Sequence, residues 1–156
     1  MTTGKAVNIL LAEDDPAHAE IVRRTMEMAR IANQMEHVED GQQALDYLYR
    51  RGAYSNPDDA PRPGLILLDL RMPRVDGLEV LKQIKTDPEL MRIPVVVLTT
   101  SAAETDMAKA YDHHANSYLI KPVDFTKFTA MMEIIGYYWL IWNRAPEPSR
   151  EYAETP

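Results

Sequence analysis

The sequence predicts a doubly wound α/β domain on a five-stranded parallel sheet, and three observations carry that expectation. Leu65–Leu68 and Val95–Leu98 are unbroken apolar runs without polar alternation, the pattern of strands buried on both faces. Helix-period segments follow the strand-like runs, so strand and helix alternate along the chain. Carboxylates, hydroxyls and an amine stand directly after several of these runs, at the sheet edge where open α/β folds bind ligands.

In chain order, Val7–Ala12 reads as the first strand. Asp15 then supplies an N-cap and Pro16 a first-turn residue for a helix running to about Ala32. Ala19, Val22, Met26 and Ala29 share one face of it. Met35–Val38 is a weaker strand, closed by Glu39-Asp40-Gly41, and a helix from Gln42 to about Arg50 turns Ala44, Leu45 and Leu48 inward. The segment 52–64 holds three prolines and two glycines. It reads as a long irregular connection, either a tolerated surface insertion or a partner contact.

Leu65–Leu68 is the central strand, ended by Asp69 and the turn residues Met72-Pro73 and Asp76-Gly77. A helix from Gly77 to about Thr86 stops before Asp87-Pro88. The strand Val95–Thr99 follows, then a helix from about Ala102 to Asp112 and a short strand, Ser117–Ile120. Asp124 is placed to cap a last helix.

Composition narrows the functional classes. A chain of 156 residues with 46% hydrophobic content forms one domain with a full core. It has no cysteine, which excludes disulfides, thiol catalysis and zinc–thiolate sites. A net charge of −7 argues against nucleic acid as a partner. No apolar run approaches the roughly 18 residues that span a membrane, and Met1–Ala6 lacks a hydrophobic signal region. The expectation is a cytoplasmic protein with neither a membrane nor nucleic acid as partner.

The polar residues at the strand ends are Glu13 and Asp14, then Asp69, then Thr99 and Thr100, then Lys121. Taken singly, each reads as a strand stop or a helix cap. Together on one edge they fit phosphoryl transfer to a carboxylate. Crowded carboxylates need a cation or protons to neutralise them, and an all-oxygen donor set favours Mg²⁺. A phosphoryl group on Asp69 would need that ion, a hydroxyl donor such as Thr99 and a compact cation such as Lys121.

These blocks resemble the receiver domain of two-component response regulators. The matching residues are Ile9-Leu-Leu-Ala-Glu13-Asp14-Asp15-Pro16, Leu67-Leu-Asp69-Leu-Arg-Met-Pro73 with Asp76-Gly77, Pro94-Val-Val-Val-Leu-Thr99 and Lys121-Pro122. The resemblance covers residues 7 to about 135 and implies a flavodoxin-like fold with strand order 2-1-3-4-5. It implies Asp69 as phosphoacceptor, and Mg²⁺ held with Asp69 by Asp14 directly, Glu13 through water and the Arg71 backbone carbonyl. It further implies Lys121 as phosphoryl partner, a Thr99–Tyr118 switch pair and a cis Lys121–Pro122 peptide. Arg71 and Ser101 occupy the two positions that tune phosphoryl lifetime in such domains. Arg71 reads either as a shield over the acyl phosphate or as a solvated surface charge. His113-His114 falls where relatives carry Leu-Gly and reads as a surface turn rather than a metal site.

In the last helix, expected over about 124–143, Phe125, Phe128, Met132, Ile135, Trp139 and Trp142 are spaced 3, 4, 3, 4, 3, a stripe for packing on the sheet. Met131, Ile134, Tyr138 and Ile141 form a second stripe beside it. A helix apolar nearly all round is either an unusually wide core face or an intermolecular surface. We expect the latter: a homodimer through the last helix, at Met131, Ile134, Tyr138, Ile141 and Trp142, and through the tail 144–156, which alone is extended or disordered and in the dimer reaches across the partner.

This aromatic ending, with the long 52–64 connection, resembles the single-domain regulators paired with bacterial phytochrome kinases. That implies a light-regulated histidine kinase as phosphodonor and a stand-alone switch, with residues 1–143 as its receiver domain. Two rivals are a Mg²⁺-dependent phosphohydrolase and a phosphorylation-independent dimeric binding module. The first usually carries a second acid two residues after the acceptor, where this chain has Arg71.

Overall fold

The computed structural model describes residues 7–28 and 33–139. The expected helix end at 29–32, the last turns of the final helix with Ile141 and Trp142, and the tail 144–156 lie outside the described residues.

Five strands, β1 (Val7–Ala12), β2 (Asn33–Val38), β3 (Leu65–Leu68), β4 (Val95–Thr99) and β5 (Ser117–Ile120), form one parallel sheet in the order β2-β1-β3-β4-β5. Five helices connect and flank them: α1 (Pro16–Met28), α2 (Gly41–Tyr49), α3 (Gly77–Thr86), α4 (Glu104–Asp112) and α5 (Phe125–Tyr137). This is the expected flavodoxin-like fold.

The sheet is buried on both faces because the inner strands β1, β3 and β4 are apolar except at Asn8 and Thr99. Leu10, Ala12, Ile66, Leu68, Val95 and Val97 pack with Leu45 and Leu48 of α2 and Val80, Leu81 and Ile84 of α3. Residues one step away, Ile9, Leu11, Leu65, Leu67, Val96 and Leu98, face the other side. There they meet Val22 and Met26 of α1 and Phe128, Met132 and Ile135 of α5. The alternation of neighbouring residues between two cores follows from the period-2 geometry of a strand.

The helix starts follow the capping residues. Asp15 Oδ1 accepts from the Ala17 N–H at 2.9 Å, Asp40 Oδ1 from Gln43 at 2.8 Å, Asp76 Oδ1 from Leu78 at 2.7 Å and Asp124 Oδ1 from Lys127 at 3.0 Å. α2 stops one residue earlier than expected because Arg50 takes a left-handed conformation, φ 57°. His114 does the same after α4, φ 68°, which makes the His113-His114 pair the expected turn.

Three expectations are corrected. The segment 52–64 holds two short 3₁₀ turns, Gly52–Tyr54 and Pro57–Asp59. They are fastened to α2: Tyr47 Oη donates to the Pro61 carbonyl at 2.8 Å, and the Tyr47 and Tyr54 rings meet edge to face at 5.1 Å. Phe125 is exposed instead of packed, because the core contact of α5 begins one turn later, at Phe128. The Lys121–Pro122 peptide is trans, and no cis peptide occurs among the described residues. Trans is the intrinsically favoured X–Pro isomer by about 0.5–1 kcal/mol.

Candidate functional site

Parallel strands deliver their carboxyl ends to one edge, and the ladder carries one residue beyond three of them. The Glu13 N–H donates to the Val38 carbonyl at 3.0 Å, Asp69 to Ala12 at 3.0 Å and Lys121 to Thr99 at 2.7 Å. The sheet register therefore sets the positions of Glu13, Asp69 and Lys121. Thr99, the last residue of β4, is fully buried beside them.

Lys121 is the centre of the cluster, with a side chain only 2% exposed. Its Nζ lies 2.5 Å from Glu13 Oε1, 3.1 Å from Asp69 Oδ2 and 3.0 Å from His18 Nδ1. An ammonium has three donors and no acceptor, so all three are used and His18 Nδ1 is an acceptor here. The other Glu13 oxygen accepts from the Asp15 N–H at 3.1 Å, and its carbonyl accepts from His37 Nε2 at 2.7 Å. Burial pushes the Glu13 carboxyl up from 4.5 to about 7, against the pull of Lys121 and with the help of the Asp69 charge.

Glu13, Asp14 and Asp69 each offer a carboxylate oxygen, and these oxygens lie within 4.8 Å of one another. Asp14 is exposed while the other two are buried. Three hard oxygen donors around one point fit a divalent cation of the Mg²⁺ or Mn²⁺ class.

The hydroxyl side of the site is tied through Ser101. Its N–H donates to Thr99 Oγ1 at 3.3 Å, and its carbonyl accepts from Tyr118 Oη at 2.9 Å. The two residues paired in the sequence reading are thus linked across one intervening residue. Thr100, the next residue after Thr99, is exposed. The Arg71 N–H donates to Asp69 Oδ1 at 3.2 Å, so both acceptor oxygens of Asp69 are engaged.

The Arg71 side chain is 66% exposed, as a surface charge would be, but it is paired. Its Nη2 lies 2.5 Å from Asp106 Oδ2, and Ser101 Oγ donates to the same oxygen at 2.6 Å. The hydrogen bond from Ser101, with the neighbouring Arg71 charge, holds the Asp106 carboxyl below the usual carboxylate range. Asp106, His18 and His37 were not visible as site residues from sequence. Asp106 reads as an ordinary acid in the first turn of α4, and His18 as a polar residue in the first turn of α1.

The response regulator receiver domain family matches residues 9–133. The chain belongs to that family. This receiver is 48% identical over 143 residues to FilR2 of Methanothrix harundinacea, named a probable methanogenesis regulatory protein, across 90% of this chain and 88% of that one. It is 42% identical over 132 residues to the response regulator Rcp1 of Synechocystis sp., across 85% and 88% of the two chains. The Mn²⁺-bound structure of Rcp1 superposes with TM-score 0.86 at 40% identity, covering 90% of this receiver and 99% of that chain. The phosphorylated cyanobacterial phytochrome response regulator RcpA superposes with TM-score 0.87 at 38% identity, covering 92% and 100%. Receiver domains are signalling switches rather than conventional enzymes, and this receiver is related to phytochrome response regulators in both sequence and structure.

Proposed function

We propose that this receiver accepts a phosphoryl group on Asp69 from a histidine kinase, and that the kinase is a bacteriophytochrome. The observation that carries the acceptor reading is the convergence of Lys121 and the Arg71 N–H on the two Asp69 oxygens beside two further carboxylates. In the transfer, an Asp69 oxygen attacks phosphorus, the P–N bond to the donor imidazole breaks, and the imidazole leaves with the bonding pair. Lys121 turns its charge to the phosphoryl oxygens, and Thr99 Oγ1 donates to them. Asp14, Asp69 and the Arg71 carbonyl would hold Mg²⁺ directly. Both Glu13 oxygens already carry hydrogen bonds, which supports its acting through a water. When bound, Mg²⁺ neutralises the charge that builds on the phosphoryl oxygens.

The protein works in the cytoplasm and dimerises through α5 and its C-cap: Ile134 in α5 is 70% exposed and the capping Tyr138 52% exposed. Both support an intermolecular face, since neither side chain finds a place in its own core. Met131 contributes less, being half-buried against that core. The receiver carries no activity beyond its own phosphorylation and dephosphorylation.

The test is intact mass after incubation with Mg²⁺ and acetyl phosphate, then with an autophosphorylated kinase. One phosphoryl group should appear on the wild type and none on Asp69→Asn. A labelled Asp69→Asn, or a wild type unlabelled by either donor, would remove the acceptor reading. A second donor class is favoured by the 48% identity to FilR2, whose name concerns methanogenesis. Transfer from a kinase without a light-sensing module, at a rate above that from a bacteriophytochrome, would establish it.

A further inference from the structure

We infer that Asp106 is a positioning residue for the phosphoryl chemistry: its carboxylate holds the Arg71 guanidinium in the unphosphorylated state and releases it to the phosphoryl group on Asp69. The inference rests on Asp69 as acceptor. It begins from one oxygen: Asp106 Oδ2 accepts from Arg71 Nη2 at 2.5 Å and from Ser101 Oγ at 2.6 Å. The Asp106 side chain is only 11% exposed, while that of Arg71 is 66% exposed. The carboxylate is therefore the fixed member of the pair and the guanidinium the mobile one.

Arg71 stands two residues after Asp69, with its own N–H on Asp69 Oδ1. A phosphoryl group at Asp69 puts two or three anionic oxygens within the same neighbourhood as a single carboxylate oxygen. Guanidinium binds phosphate-like groups through two parallel N–H donors, whereas only one Arg71 nitrogen reaches Asp106 as a hydrogen-bond donor. Phosphorylation thus competes with Asp106 for Arg71.

The consequence reaches Tyr118. With Arg71 gone, Asp106 keeps the hydrogen bond from Ser101, whose N–H is on Thr99 Oγ1 and whose carbonyl holds the Tyr118 hydroxyl. Thr99 moving toward the phosphoryl group then pulls on a loop that has lost one of its anchors, and Tyr118 loses its carbonyl acceptor. Asp106 in this way sets both the availability of Arg71 and the threshold for the Thr99–Tyr118 rearrangement.

The experiment is a double-mutant cycle on the lifetime of the phosphoryl group, read by intact mass after removal of donor. Wild type, Asp106→Asn, Arg71→Gln and the double variant are compared, with thermal midpoints recorded for each. Asp106→Asn retains the shape and the Ser101 hydrogen bond but removes the charge that holds Arg71. We expect it to prolong the lifetime at least threefold in the wild-type background and to leave it unchanged in the Arg71→Gln background. An equal effect in both backgrounds, or no effect in either, overturns the inference while leaving Asp69 as acceptor. A merely structural role would lower the thermal midpoint in both backgrounds without that dependence on Arg71, and counts against it. A wild type that takes no label removes the acceptor reading and this inference together.

Discussion

Lys121 Nζ sits 2.5 Å from Glu13 Oε1 in a buried cluster that holds more negative than positive charge. One ammonium faces the carboxylates of Glu13 and Asp69, with Asp14 alongside, so a proton or a cation must supply the rest. Burial pushes the Glu13 carboxyl from 4.5 to about 7. A carboxyl raised on folding binds more protons folded than unfolded between those two values. Its contribution to stability is complete below pH 4.5 and is lost as pH rises through about 7. With chelator present, the thermal midpoint should fall by roughly 2–8 °C from pH 5 to pH 8, the equivalent of roughly 1–2 kcal/mol in a chain of this size. Mg²⁺ should reverse most of the fall, and Glu13→Gln should flatten the slope. Thermal melts across that range check this, and identical slopes in wild type and Glu13→Gln would refute it.

How far the site was legible in sequence follows from the kind of force that positions each residue. Glu13, Asp69, Thr99 and Lys121 end apolar strands, and parallel pairing sends such ends to one edge. The backbone alone therefore fixes them. The ion pair of Arg71 with Asp106 joins residues 35 apart through the long Arg71 side chain, and no local period or cap announces it. His18 is a similar case, since Lys121 meets it 103 residues away. The order of the 52–64 segment was hidden for another reason. Its proline and glycine content speaks against regular structure, yet tertiary hydrogen bonds from Tyr47, Arg50 and Arg62 pin it to α2.

Gly77 opens α3 directly beneath Asp69, the proposed acceptor. A Cβ there would lie 2.2 Å from the Asp69 carbonyl oxygen and 2.6 Å from Leu70 Cα. Both are backbone atoms of the turn that carries Asp69, and the Gly77 N–H donates to the Leu70 carbonyl at 2.9 Å. Gly77→Ala must therefore displace that turn, at an overpacking cost of about 1–3 kcal/mol. The thermal midpoint should drop by roughly 2–12 °C, and acetyl phosphate labelling should slow as Asp69 moves relative to Lys121. A variant with wild-type melting and labelling would show that the turn tolerates a methyl group.

Tyr47 fastens the 52–64 segment by a single hydroxyl. Tyr47→Phe keeps the ring contact with Tyr54 and removes only the donor to the Pro61 carbonyl. The loss should cost about 1 kcal/mol, read as a fall of roughly 2–4 °C in the thermal midpoint. Limited proteolysis within 52–64 should quicken while phosphorylation stays the same, because the segment packs against β1 and β2, with Tyr54 bonded to Glu36 and Gly64 to Asn8. Unchanged proteolysis would mean that Arg50 and Arg62 hold the segment without it.

The proposed dimerisation through α5 rests on a different balance. Phe128, Met132 and Ile135 already fill the contact with α1 and the sheet, so Ile134 and Tyr138 have no core left to enter. Ile134→Glu and Tyr138→Glu change exposed positions, and the folded monomer should lose no more than about 0.5 kcal/mol. A second copy seated on that face would instead have to bury two unpaired carboxylates, which is strongly unfavourable. Sedimentation velocity of the double variant should therefore show a folded monomer. A dimer that persists at micromolar concentration would move the contact off this face of α5. Monomeric wild type would withdraw dimerisation altogether.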